Sequence, residues 1–272
     1  MTRPRRTAPL LALAAAVLAS ALLAACGGGS AGSSPYFRVT RMTSSAGQKE
    51  ILLTPRVPVR GLVLFEHGYG ETELALLRTP VLMPLRDTLL RAGYAMAASD
   101  SHGNNMGTLQ SVHDQQLLLT DAERKLPAIP RVEMVGFSMG GLDALLVASR
   151  HAVAGLDGVV LLSPVCNQVP FLKTSLDPAI RAAFGNKQGQ ALLDAMEPSN
   201  PERQDAHSYA GYRYWFWQSP DDRTVPPAQT ASMIALLHSA GIEARFSPLT
   251  GGHGDLKALQ PEQVLQWFET GR

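Results

Sequence analysis

From Tyr36 onward, short apolar runs alternate with longer segments of helical spacing, and this alternation constrains the fold more than any other feature of the chain. Apolar runs of strand length separated by amphipathic helical segments build βαβ units, in which the strands pair in parallel and the helices cover both faces of the sheet. Runs that read as strands fall at 37–42, 51–54, 61–65, 94–99, 132–137, 158–163, 214–218 and 244–247. Helical segments are expected at 74–92, with an interruption near Pro80 and Pro84, and at 112–126, 140–151, 226–240 and 261–270. The last opens on Pro261 and closes against Gly271, the usual asymmetry of helix ends. Between residues 165 and 211 the alternation lapses into a mixed stretch containing Pro170, Pro178, Pro198 and Pro201, which reads as a small lid or insertion. The expectation is one α/β domain over residues 36–272, with a mostly parallel eight-stranded sheet.

Composition supports that reading and removes several others. The chain has 272 residues, 45% of them hydrophobic and 17% charged, enough to bury a sizeable core and too apolar for a disordered chain. Lys and Arg number 24 against 23 Asp and Glu, and no basic run is interleaved with aromatics, so nucleic acid is not an expected partner. No repeat of 20 to 50 residues is evident. The two cysteines, Cys26 and Cys166, are too few for a Cys-x-x-Cys metal site. Cys166 follows a strand and reads as a small buried apolar residue.

The first 25 residues have the form of an export signal: Arg3, Arg5 and Arg6 precede an uncharged run rich in Leu and Ala. That run is short for a membrane-spanning helix, which needs about 20 apolar residues, although a retained anchor is the alternative reading. Leu23-Ala24-Ala25-Cys26 resembles the lipobox of bacterial lipoproteins, in which the cysteine thiol is acylated and becomes the first residue after cleavage. Cleavage there removes three arginines and takes the formal charge from +1 to −2. The resemblance implies a lipid anchor on Cys26 that holds the protein to a membrane, followed by a Gly/Ser tether up to residue 35. With Gly at position 27 instead of Asp, the sorting pattern favours the outer membrane in a cell that has two.

The chemistry-bearing motifs lie within the α/β region. Gly136-Phe137-Ser138-Met139-Gly140 has the spacing Gly-x-Ser-x-Gly, where glycines make room around a serine held on a sharp strand-to-helix turn. A second copy, Gly28-Gly29-Ser30-Ala31-Gly32, sits in the tether with no strand before it and no helix after it, and context rejects it. A serine hydroxyl needs a base and an orienting carboxylate to act as a nucleophile. After the strand 214–218 come Asp221 and Asp222, and after the last strand the glycine-rich loop Thr250-Gly251-Gly252-His253-Gly254. The order is Ser, Asp, His; of the two histidines that follow both the serine and the aspartates, His238 lies in an expected helix and His253 on a loop after the last strand, which selects His253.

These motifs resemble the α/β-hydrolase superfamily over most of the domain, from Leu62 to Trp267. The family pattern Asp-x-x-Val-Pro is matched by Asp222 to Pro226 and selects Asp222 as the acid, with Asp221 the alternative. Glu66-His67-Gly68-Tyr69-Gly70 is similar to the family's oxyanion loop, which implies backbone donors from Tyr69 and from Met139, the residue after the nucleophile. It departs from the His-Gly-Gly-Gly form of some lipases, which weighs against bulky or tertiary-alcohol esters. Ser at the elbow argues against the haloalkane dehalogenase branch, which uses Asp, and the dienelactone hydrolases, which use Cys.

The resemblance implies a carboxylesterase-like serine hydrolase, with a small-molecule ester as substrate and no cofactor or metal. An amide or peptide hydrolase and an acyltransferase are alternatives on the same triad, and a lipid-anchored, non-catalytic binding protein is an alternative of another class. His67, His102 and Asn104 are candidates for the substrate pocket, with His67 read as a structural hydrogen-bonder in preference to a base. The segment Asp100 to Asn105 also admits a structural reading and, through Asp100, His102 and Asn104, a metal-binding one. The sequence does not define an oligomeric state.

Overall fold

The computed structural model describes residues 34–270. The export signal, Cys26, the tether and its second Gly-x-Ser-x-Gly copy at Ser30 lie outside the described residues. Eight strands form one sheet: β1 (Phe37–Thr43), β2 (Lys49–Pro55), β3 (Gly61–Glu66), β4 (Tyr94–Ser99), β5 (Val132–Phe137), β6 (Leu156–Leu162), β7 (Arg213–Gln218) and β8 (Ala244–Pro248). Their order across the sheet is β1-β2-β4-β3-β5-β6-β7-β8. β2 runs antiparallel to both β1 and β4, and every pairing from β4 to β8 is parallel. The strands β3 to β6 are buried along their whole length, which explains why they read as unbroken apolar runs.

The helices are α1 (Ala75–Arg78), α2 (Met83–Arg91), α3 (Leu109–Glu123), α4 (Gly140–Ser149), α5 (Asp177–Ala183), α6 (Gly189–Met196), α7 (Pro227–Ser239) and α8 (Pro261–Glu269). The expected break at the prolines is a 3-10 turn, Pro80–Leu82, between α1 and α2. α3 starts at Leu109, three residues before the expected boundary; α4, α7 and α8 fall within two residues of expectation, and α5 and α6 lie in the stretch that reads as an insertion, outside the expected helices. One face of the sheet packs against α3, α4 and α7 through residues such as Leu118, Leu145, Met233 and Leu237. The other face packs against α1, α2 and α8 through Leu85, Leu89, Val264 and Phe268. Tyr214, Trp215, Phe216 and Trp217 of β7 are buried in these two cores, so the aromatic run serves packing.

Between β6 and β7 the chain forms α5, α6 and four 3-10 turns. Its apolar residues Phe171, Ile180, Phe184, Leu192 and Met196 make a third cluster with Met106, Met139, Leu142, Val165 and Val225. This segment therefore sits over the start of α4. No helix among the described residues is long and apolar enough to cross a membrane.

The chain steps from β3 to β4 on one side and then returns to β5 on the other. In an open α/β sheet such a switch point leaves a crevice at the carboxyl ends of the strands. The loop after β3 and the turn after β5 flank that crevice.

Candidate active site

Ser138 stands immediately after β5 with φ 53, in the left-handed region that a side chain makes costly. Its N–H donates to the Leu162 carbonyl, and its own carbonyl accepts from the N–H groups of Gly141 and Val165, so the turn is fixed on both sides. The flanking glycines are needed for space: a Cβ on Gly136 would lie 2.6 Å from the Gly140 carbonyl oxygen, and one on Gly140 would collide with the Glu66 backbone. β3 and β5 are neighbours, so the glycines let α4 begin directly above their junction.

Ser138 Oγ lies 2.8 Å from His253 Nε2, and His253 Nδ1 lies 2.7 Å from Asp222 Oδ2. Three elements far apart in sequence thus contribute one hydrogen-bonded chain. Asp222 is 4% exposed. Its Oδ1 accepts the N–H groups of Thr224 and Val225, and its Oδ2 also accepts from Gln218 Nε2 at 2.9 Å. Burial alone would raise its pKa; the bonds from His253, the Val225 N–H and Gln218 together outweigh that and hold it below the ordinary carboxylate value. Asp222 is therefore an anion built to orient His253. Asp221 is exposed, and its N–H donates to Ser219 Oγ, which in turn donates to the Gly251 carbonyl and ties the acid turn to the histidine loop. The His253 ring lies nearly parallel to Phe137, with 14° between the planes.

A cavity of about 350 Å³ opens on this chain. Ser138, His253, Tyr69 and Met139 line it, and its apolar wall includes Leu142, Val165, Phe171, Leu176 and Ile180. The backbone N–H groups of Tyr69 and Met139 have no acceptor among the described residues. An arrangement of this kind can move a proton from serine to histidine while two backbone donors face the charge that develops on a carbonyl oxygen.

The other three residues expected at the pocket do not line it. His67 is 1% exposed, with Nδ1 2.8 Å from the Gly68 carbonyl and Nε2 3.1 Å from the Asp100 carbonyl, so it joins two loops behind the site. His102 Nδ1 lies 2.6 Å from Asp114 Oδ2, and its Nε2 faces the side-chain amides of Gln48 and Gln110. Asn104 Oδ1 accepts the Gly70 N–H at 2.7 Å. These partners satisfy the polar groups that made the loop look like a binding element. Among the described residues no group of three His, Cys, Asp or Glu is placed to hold a metal ion. Cys166 is buried, which pushes its thiol well above the usual range.

Sequence reasoning missed Gln218, Glu71 and the wall from the insertion. Glu71 accepts the Gly68 N–H and the Thr79 hydroxyl beside the cavity. Nothing local marks Glu71 or Gln218. The apolar residues Phe171, Leu176 and Ile180 lay in the stretch whose periodicity had lapsed.

No family model matches the chain, and no curated protein matches it either. Solved structures do. An esterase of Pyrococcus furiosus superposes with a TM-score of 0.64 at 16% identity, covering 86% of this chain and 90% of that one. A thermostable carboxyl esterase of Bacillus coagulans gives 0.60 at 16% identity over 87% of this chain and 99% of that one. An acylaminoacyl peptidase of Pyrococcus horikoshii gives 0.65 at 13% identity over 86% of this chain, which spans only 42% of that protein. The chain has the α/β-hydrolase fold.

Proposed function

We propose that this protein is a serine hydrolase that cleaves carboxylic esters of small substrates through an acyl-enzyme on Ser138. The observation that carries the reading is the hydrogen-bonded chain Ser138, His253, Asp222 opening on an apolar cavity. Ser138 Oγ attacks the ester carbonyl carbon as His253 Nε2 takes its proton, and the carbonyl π electrons move onto oxygen. Tyr69 and Met139 N–H groups stabilise that oxyanion. The oxyanion collapses, the bond to the alcohol oxygen breaks, and His253 returns the proton to the leaving alcohol. Water, deprotonated by His253, then attacks the acyl carbon; the second oxyanion collapses, and Ser138 Oγ leaves with the proton. Asp222 stays ionised throughout and holds the imidazole in the tautomer that presents Nε2 as acceptor.

The apolar wall suits an apolar acyl group, and about 350 Å³ is at the small end of ligand pockets. Short acyl esters are therefore the preferred class. Turnover of nitrophenyl esters of graded acyl length by the full chain, beside Ser138→Ala and Ser30→Ala, tests this. The expected result is loss of turnover in Ser138→Ala alone, with activity falling as the acyl chain lengthens. Activity confined to amides would move the assignment to an amidase on the same triad, and no turnover at all to a binding role.

The export signal and lipobox support a cell-envelope location, with the outer membrane favoured where there are two. Lipid labelling of the wild type and none of Cys26→Ser is the expected outcome; equal labelling of both would sink the anchor.

A further inference from the structure

The loop after β3 carries three successive backbone N–H groups, of Gly68, Tyr69 and Gly70. The outer two are occupied by side chains: Gly68 N–H donates to Glu71 Oε2 at 2.9 Å, and Gly70 N–H donates to Asn104 Oδ1 at 2.7 Å. The middle one, of Tyr69, has no acceptor among the described residues, and Tyr69 lines the cavity beside Ser138. The Gly68 carbonyl is held as well, 2.8 Å from His67 Nδ1 and 3.2 Å from the Glu71 N–H.

Asn104 itself sits on a firmly held segment. Ser101, His102 and Gly103 are all left-handed, with φ of 44, 63 and 65. Surrounding contacts hold that conformation: the His102 N–H donates to Gln48 Oε1, and its ring meets the buried carboxylate of Asp114. Asn105 Nδ2 donates to the Ser101 carbonyl and to Asp143 Oδ2 in the first turn of α4. His67 Nε2 against the Asp100 carbonyl joins this segment to the loop after β3 a second time.

We propose that Asn104 is a positioning residue for the oxyanion: by taking the Gly70 N–H, it fixes the peptide next to Tyr69 and keeps the Tyr69 N–H set for the developing negative charge. The inference rests on Ser138 as the nucleophile. Its physical basis is that a donor helps only if it is within about 2.7–3.1 Å of the oxyanion without having to reorganise during the reaction. A loop released at Gly70 spreads that donor over several orientations. The penalty falls on the transition state, where the charge is, and spares ground-state binding.

The test is steady-state kinetics of the full chain on nitrophenyl acetate and butyrate for wild type, Asn104→Ala and Asn104→Asp, with thermal melting of each. Asn104 is exposed, so both variants should fold with a Tm near that of the wild type. Asn104→Ala is expected to lower kcat about tenfold, less than the hundredfold or more that follows loss of an oxyanion donor, with KM unchanged within about twofold. Asn104→Asp keeps an oxygen acceptor for Gly70 and should restore kcat to within about threefold of wild type. Wild-type kcat in Asn104→Ala, a loss expressed only in KM, or an Asp variant no better than Ala would each overturn the proposal. A wild type inert toward every ester would instead overturn the hydrolase reading and this inference with it.

Discussion

At the amino edge of the sheet, where the chain returns to a strand, glycine takes most of the left-handed positions, Gly93 before β4, Gly155 before β6, Gly211 before β7 and Gly241 before β8, with His151 after α4 the exception. At the carboxyl edge the left-handed residues include side-chain bearers: Ser101, His102 and Met106 after β4, Ser138 after β5 and Ser163 after β6. The same turn problem is solved mostly by the cheap residue on one side and by a mixture of glycines, such as Gly70 and Gly251, and costlier residues on the other. Two of the costly residues face the cavity: Ser138 presents its hydroxyl to His253 Nε2, and Met106 lines the wall. The carboxyl edge tolerates the strain because buried bonds, such as those of the Ser138 backbone, hold each turn in place.

A second contrast sets two individual buried carboxyls apart and does not follow the edges, since burial also raises Glu66 at the carboxyl end of β3. Asp222, at the carboxyl edge, is surrounded by donors and kept charged. Glu133, near the amino end of β5, is fully buried, and burial with help from Asp157 pushes its pKa up to about 9 against the pull of Arg213 and Arg131. The first is an anion hydrogen-bonded to His253, and the second holds its proton within the fold.

The largest effect that would break this contrast is at the site itself. Asp222→Asn should keep the shape of the turn but favour the wrong imidazole tautomer, lowering kcat by about 10⁴-fold; a loss under about tenfold would show that the carboxylate's charge is not needed. Next comes the backbone. Gly93→Ala places a Cβ 2.7 Å from the Pro58 carbonyl oxygen at φ +97 and should cost roughly 1–3 kcal/mol, or about 2–4 °C in Tm for each kcal/mol.

Ser163→Gly should do the opposite on a smaller scale. It relieves a left-handed serine whose buried hydroxyl has no partner, and the gain of about 1–2 kcal/mol is partly offset by the extra freedom of glycine in the unfolded chain. A slight rise in Tm is expected, and a fall would mean that this turn needs its side chain. The remaining effect concerns pH. Folding keeps a proton on Glu133 that the unfolded chain releases near the ordinary value of 4.5, so its stabilising contribution is full below that value and is lost as pH rises towards about 9. Glu133→Gln should flatten the decline of Tm between pH 5.5 and 8.5; an unchanged slope would assign the decline to other groups.

The strands were legible because each is a buried run whose length and flanking turns are written locally. Ser138, Asp222 and His253 were legible for a related reason, since each lies in a short motif at a strand end. Adjacent Asp221 and Asp222 stayed ambiguous in sequence, because only the fold shows which one is buried against His253. The loop Asp100 to Asn105 stayed open between structural, pocket and metal readings, and the structure favours the structural one: the partners of His102 and Asn104 lie on other segments, and a polar residue satisfied at long range looks the same in sequence as one waiting for a ligand. The cavity wall from the insertion could not be read either, because Phe171 lies in a 3-10 turn, Leu176 at a helix cap and only Ile180 on α5, so no single periodicity joins them.

The most direct measurement is covalent labelling of the full chain with a fluorophosphonate, followed by mapping of the modified peptide. The account predicts a single adduct on Ser138, slowed in Asp222→Asn and absent in Ser138→Ala while Ser30→Ala labels as wild type does. An unlabelled chain, or an adduct on Ser30 or another serine, would contradict the assignment of Ser138 as nucleophile.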